Sequence, residues 1–279
     1  QQAVAAADIR QEAGAGMAAG LEAAAEICAD GKLHRFSTNG RRGDDSGWYV
    51  LHDDGSPAGS FGCWRSGLQS TWCAKPEREL SDSERQAMRE RVKAMQRQRA
   101  AEQARIHEQA RNMAAASLVQ SEPVTQHPYL TVKGIKPHGA KALEGRLVIP
   151  MRDAAGTLHS LQTIGPDGGK RFMPGGRVSG CYFSIGNPNG AAALWIAEGI
   201  ATGGSIQEAT GLPLAVAFNA GNLLAVAKAM RQKFPSLRLI LCADDDSQTP
   251  GNPGLTKATE AAQAVGGLVA IPDFGRAAA

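Results

Sequence analysis

From Gly190 onward the chain alternates short, unbroken apolar runs with helix-forming stretches, and this alternation constrains its fold more tightly than any other feature. The runs Leu194–Ala197, Leu214–Phe218, Leu237–Ala243 and Leu268–Ile271 read as strands, with helices expected near 201–210, 222–233 and 255–265. The runs carry almost no period-two polarity. Both faces of each strand must therefore be covered, as in a parallel sheet flanked by helices. Gly211 and Gly266 stand where the first and third helices should stop, in the position that favours a left-handed residue.

Two of these runs end in acid. Trp195-Ile196-Ala197 leads into Glu198-Gly199, and Leu239-Ile240-Leu241-Cys242-Ala243 leads into Asp244-Asp245-Asp246. In a parallel α/β sheet, ligands bind beyond the carboxyl ends of the strands. Side chains alternate along an extended chain, so Asp244 and Asp246 point the same way, with Cα atoms roughly 6–7 Å apart. Two carboxylates at that spacing and a third from another strand suit Mg²⁺, which takes a few hard oxygen ligands and keeps exchangeable waters. Without a cation, three gathered carboxylates repel one another and raise one another's pKa values. The plainer reading makes Asp244–Asp246 a polar surface loop and Glu198 a helix cap. Two acidic ends in one sheet, each after a buried run, favour the metal site.

Upstream, residues 1–28 are Ala- and Glu-rich and read as a helical lead-in, and residues 29–76 as a small β-module of hairpins turning at Asp54-Gly55. Residues 77–120 hold a long helix, expected over 81–117, which Ser81 or Ser83 can cap; a solvated linker is its simplest role. Ser121-Glu122-Pro123 and His127-Pro128 mark a boundary. Residues 121–189 then give a basic α+β segment in which Arg146–Met151 and Thr157–Ile164 form a hairpin, followed by Lys170-Arg171-Phe172. Residues 190–279 are the α/β domain. The formal charge of +3 permits nucleic-acid binding without arguing for it, so basic patches must carry any such case.

The five cysteines form no CxxC pair, and no zinc site is expected; Cys63, Cys73 and His34 are the nearest approach to one. No apolar stretch reaches 18 residues and no signal peptide is written, so the expectation is a soluble cytoplasmic protein without membrane contact. The chain opens at Gln1, as a piece of a longer protein would. Gly165–Arg171 mimics a phosphate loop only superficially, because Ile164 stands at the first glycine position and Arg171 at the Ser/Thr position.

The segment Ala197-Glu198-Gly199-Ile200-Ala201-Thr202, followed by Cys242-Ala243-Asp244-Asp245-Asp246, resembles the TOPRIM domain of bacterial-type primases. Ala217-Phe218-Asn219-Ala220-Gly221-Asn222 is similar to that family's small-residue loop after its second strand. Arg146–Asp153 with Gly156 and Lys170-Arg171-Phe172 resembles the basic subdomain preceding TOPRIM. Gly31–Phe36, Gly47–Val50 and Phe61–Gly67 look like the leader of phage- and plasmid-borne primases.

The resemblance implies a DNA primase making short RNA primers on single-stranded DNA by metal-dependent nucleotidyl transfer. Asp244 and Asp246 would hold Mg²⁺ or Mn²⁺, with Glu198 a further ligand or the general base. Arg146, Lys170 and Arg171 would neutralise phosphates of NTPs or template, with Arg152 and Lys257 as weaker candidates. For Arg146 a strand-edge surface charge is the default reading. Partners implied are the template, NTPs and a replicative helicase on another chain or on a further C-terminal region. Bacterial replicative primases carry a zinc ribbon that this chain lacks. If the leader reads single-stranded DNA, Trp48, Tyr49, Trp64 and Trp72 beside Arg41, Arg42 and Arg65 would do so, though core packing claims at least half of them. A TOPRIM nuclease and a non-catalytic DNA-binding accessory are the alternatives. A topoisomerase needs a nucleophilic tyrosine, and none of Tyr49, Tyr129 and Tyr182 sits in a recognisable motif.

Overall fold

A computed structural model describes residues 28–38, 41, 43–52, 58–63, 68–73, 81–244, 249 and 251–271. The chain divides into two units, Gln1–Gln98 and Arg99–Ala279. The first holds a four-stranded antiparallel sheet in sequential order: β1 (His34–Phe36), β2 (Gly47–His52), β3 (Ala58–Cys63) and β4 (Leu68–Cys73). Strand β2 is buried along almost its whole length. Trp48 and Tyr49 are core residues, 2% and 4% exposed, and offer no stacking face. Tyr49 stacks on His34 at 5.0 Å between ring centroids. The Asp54-Gly55 turn, Trp64 and the Trp72 side chain lie outside the described residues.

Helix α1 (Asp82–Gln120) starts with reciprocal capping. The Glu84 amide donates to Ser81 Oγ at 3.3 Å, and the Ser81 amide donates to Glu84 Oε2 at 2.8 Å. The second half of α1 is more than a solvated linker. Ala110 and Ala114, one turn apart, are buried, and Ala114 packs with Val148 and Leu161. Alanine at that spacing lets the helix lie close on a sheet.

That sheet is antiparallel, ordered β5 (Glu122–Pro123), β6 (Lys141–Leu143), β7 (Arg146–Arg152), β8 (Leu158–Ile164) and β9 (Lys170–Phe172). Helix α2 (Pro128–Lys133) precedes β6. Val148 faces α1, whereas Leu147, Ile149 and Met151 face the opposite side, the alternation a two-sided strand requires. Their partners are α2 and the second sheet of the unit.

The second sheet is ordered β10 (Phe183–Ile185), β12 (Leu214–Val216), β11 (Ala193–Ala197), β13 (Arg238–Cys242) and β14 (Leu268–Ala270). Strands β12, β11, β13 and β14 run parallel, and β10 is an antiparallel edge. Helices α3 (Ile200–Thr210), α4 (Leu223–Lys233) and α5 (Pro253–Val265) connect the parallel strands. Leu194, Ile196, Ala215, Ala217, Leu239 and Leu241 pack against α4 and α5. Ala197, Leu214, Val216 and Cys242 pack on the side that also receives Leu147 and Ile149. Both faces are covered, which is why the runs were continuous. Gly211 and Gly266 end α3 and α5 in the left-handed conformation, at φ 70° and 61°. Among the described residues no helix is long and apolar enough to cross a membrane.

Candidate metal and nucleotide site

Strands β11 and β13 are parallel neighbours, with Ile196 opposite Leu241. Extending that register sets Glu198 level with Ala243 and one step short of Asp244, so their Cα atoms stand about 6 Å apart. Both residues are half-buried at the carboxyl mouth of the sheet. Asp245 and Asp246 lie outside the described residues, and among the described residues no group of three metal-ligating side chains is gathered. Glu198 and Asp244 follow the ends of adjacent parallel strands, and carboxylates are hard-oxygen donors of the kind a Mg²⁺-type ion takes.

The local sequence aims these groups. Gly199 follows Glu198 in extended conformation and is the N-cap of α3. Helix α3 sits tightly on the sheet, because a Cβ at Gly203 would stand 2.6 Å from Leu214 Cδ2. On β13, burial and then the nearby negative charge of Asp244 push the Cys242 thiol up to about 12. Cys242, two residues before Asp244, packs on the face that receives β7 and β8.

A cation arrives from that side. Lys170, the first residue of β9, carries its Nζ to 3.6 Å from where a Cβ on Gly199 would stand. The ammonium also lies 6.0 Å from the Tyr129 ring centroid, and it borders a cleft of about 400 Å³ with Tyr129, Val132, Lys133 and Gly168. Tyr129 is buried, its hydroxyl has no hydrogen-bond partner, and burial raises its pKa. Two residues further along β9, Phe172 meets Phe218 edge-on, with centroids 6.3 Å apart at 76°.

The end of β12 is held by Asn222, which is 3% exposed. Its Nδ2 donates to the Ala217 and Cys181 carbonyls at 2.8 and 2.9 Å, and its Oδ1 accepts from the Gly180 amide at 2.8 Å. The neighbouring Phe218 takes φ 74°, a left-handed conformation that costs an aromatic residue on the order of 1–3 kcal/mol.

The basic candidates are distributed unequally. Arg146 is at the same end of its sheet as Lys170, with Nη1 beside Gly165. Arg171 is exposed on β9. Arg152 is at the opposite end of the seven-residue β7 and donates to the Gly156 carbonyl at 2.9 Å. It borders a separate cleft of about 550 Å³ with Tyr182, Asn187 and Lys233. Lys257 pairs with Glu260 at 2.8 Å on the exposed face of α5. The structure therefore places Glu198 and Asp244 just past the ends of adjacent strands and Lys170 beside Gly199, and leaves Arg152 apart. Asn222 and Phe218 were legible only as members of a small-residue loop, and Phe172 only as the tail of a basic tripeptide.

A parallel sheet with acidic residues at neighbouring strand ends and helices on its faces is the architecture of a Toprim domain, and residues 193–274 match the Toprim domain family. Over 257 residues, 88% of this chain, the sequence is 40% and 38% identical to two Escherichia coli proteins named DNA primase TraC. The match takes in 24% and 18% of those proteins, so the chain spans a quarter or less of its curated relatives' length. The chain is thus similar to a part of the TraC primases, and the match to the Toprim domain family falls in its residues 193–274. Among solved structures, the primase fragment of the bacteriophage T7 primase-helicase protein aligns at a TM-score of 0.41 and 19% identity, covering 54% of this chain and 65% of that one. The T7 primase domains bound to lagging-strand DNA polymerase align at 0.39 and 19%, covering 54% and 81%.

Proposed function

We propose that this chain is the nucleotidyl-transfer part of a DNA primase, which joins ribonucleotides into short primers on single-stranded DNA. The observation that carries the reading is the Lys170 ammonium beside Gly199, at the end of β11, whose parallel neighbour β13 leads into Asp244. Carboxylates that can take a metal, with a cation beside them, are what a triphosphate requires of its site. Identity to the TraC primases over 88% of the chain supports the choice of primer synthesis over strand cleavage.

In this reading Glu198, Asp244 and Asp246 hold Mg²⁺ or Mn²⁺, which neutralises the nucleotide's phosphates when bound. Lys170 receives a phosphate oxygen, and Arg146 and Arg171 extend the positive field toward the triphosphate or the template backbone. Arg152 and Lys257 contribute to template binding rather than to chemistry. Alternatively to holding metal, Glu198 accepts the proton of the attacking 3′-hydroxyl as pyrophosphate leaves. Residues 29–76 serve as a template-binding leader after the lead-in 1–28, residues 77–120 as a linking helix, and residues 121–189 as the basic platform facing the Toprim domain at 190–279. The chain works in the cytoplasm beside a replicative helicase carried elsewhere.

Incubation with labelled NTPs, Mn²⁺ and single-stranded templates tests the reading. Template-dependent oligoribonucleotides, lost in Asp244→Ala and Glu198→Ala, are expected. Metal-dependent cleavage of the template without synthesis would replace the primase by a nuclease.

A further inference from the structure

Strand β9 crosses the carboxyl mouth of the parallel sheet and addresses two strand ends at once. Lys170 and Phe172 are two residues apart, so they share one face of β9, with Arg171 on the other. Lys170 reaches Gly199 at the end of β11, and Phe172 reaches Phe218 at the end of β12. The Ala217 amide donates to the Ala197 carbonyl at 2.8 Å, which sets Phe218 beside Gly199. Lys170 and both rings therefore lie along two adjacent strand ends of the parallel sheet.

The two rings differ in what they present. Phe218 is 6% exposed and fixed in its left-handed conformation next to the Asn222 clamp. Phe172 is 37% exposed and is the one aromatic among the exposed large apolar side chains of the described residues. Phe172 thus keeps part of its ring at the surface, beside Phe218 and two residues from Lys170.

We infer that Phe172 is a stacking platform for the nucleobase of the incoming nucleoside triphosphate, with Phe218 as its backing. This rests on the reading of the mouth as a nucleotidyl-transfer site. The phosphates would lie toward Lys170 and the carboxylates, and the base toward Phe172, two residues further along the same strand. Stacking of this kind tolerates any base, because every base has a π-face. The ring would therefore hold the four nucleotides alike, leaving selection to template pairing.

Two measurements separate this inference from the reading beneath it. In Phe172→Trp, the added indole emission, taken as the difference from the wild-type signal, should be quenched by ATP and UTP with Mg²⁺ in the absence of DNA. In primer synthesis, Phe172→Leu should raise the KM for NTPs about 5- to 100-fold with kcat nearly unchanged, and Phe172→Tyr should restore the wild-type KM. Quenching by a single-stranded oligonucleotide but not by free nucleotide overturns the assignment to the incoming nucleotide. Active wild type with an unchanged KM in Phe172→Leu removes the platform and leaves the primase standing. Quenching by nucleotide in a chain that makes no primers keeps the platform and removes the primase.

Discussion

Glu198, Asp244 and Lys170 differ in what each removal should do. Glu198→Gln keeps shape and hydrogen bonding but loses the charge and the proton acceptor. Primer synthesis should fall on the order of 10²–10⁴-fold, with circular dichroism and melting unchanged. Asp244→Asn should fall comparably and should weaken Mn²⁺ binding measured by calorimetry. Lys170→Ala removes a charged donor worth about 1.5–3 kcal/mol, so kcat/KM for NTPs should drop roughly 10- to 100-fold. Arg152→Ala, at the far end of β7, should leave kcat/KM for NTPs within about twofold of wild type at saturating template, because its proposed part is in template binding. Equal losses at Lys170 and Arg152 would show that only diffuse positive charge matters.

At the scale of elements, two packing devices aim the mouth. Gly203 lets α3 lie against β12, and a Cβ there would meet Leu214 and Val216 side chains at 2.6 and 3.1 Å. Gly203→Ala should therefore destabilise by about 1–3 kcal/mol despite alanine's better helix propensity. Asn222→Ala orphans two buried carbonyls and one amide, each costing about 1–3 kcal/mol. Urea unfolding measures both. The same elements show how much was legible beforehand. Continuous apolar runs and Gly211 and Gly266 gave strands, helices and helix ends, because burial on both faces and left-handed caps leave direct marks in sequence. The acidic ends Glu198 and Asp244 were legible for the same reason, since a strand end is also a sequence end. The proximity of Lys170 to Gly199 was not. It depends on how an antiparallel sheet docks over a parallel one, and no local period encodes that contact. The role of α1 was missed because alanines at 110 and 114 read equally well as helix formers and as close-packing residues.

The β7–β8 turn adds a pH-dependent contribution to the stability of the larger unit. Burial raises the Asp153 pKa, but the hydrogen bond from His159 at 2.7 Å and the amides of Thr157 and Ala155 outweigh it, and the net shift is downward. A carboxyl whose folded pKa is depressed stabilises the fold above its unfolded value, and that contribution is lost as pH falls through the folded one. Asp153→Asn should melt lower than wild type at about pH 6, and the gap should narrow at about pH 3. A gap that persists unchanged at low pH would assign the effect to the lost hydrogen-bond geometry instead of the charge. The unit containing this turn has its own two sheets, its own cores on both faces of the parallel sheet, and the part of α1 that covers Val148 and Leu161. Residues 99–279 should consequently unfold in one cooperative transition when expressed alone. They should also retain nucleotide-dependent quenching in the Phe172→Trp background, since Glu198, Asp244, Lys170 and Phe172 all lie within them. Primer synthesis by this piece should be weaker than by the whole chain at low template concentration and equal at saturating template, because what is removed is the segment assigned to template capture. A piece that binds nucleotide yet stays inactive at every template concentration would place a residue needed for chemistry within the first 98.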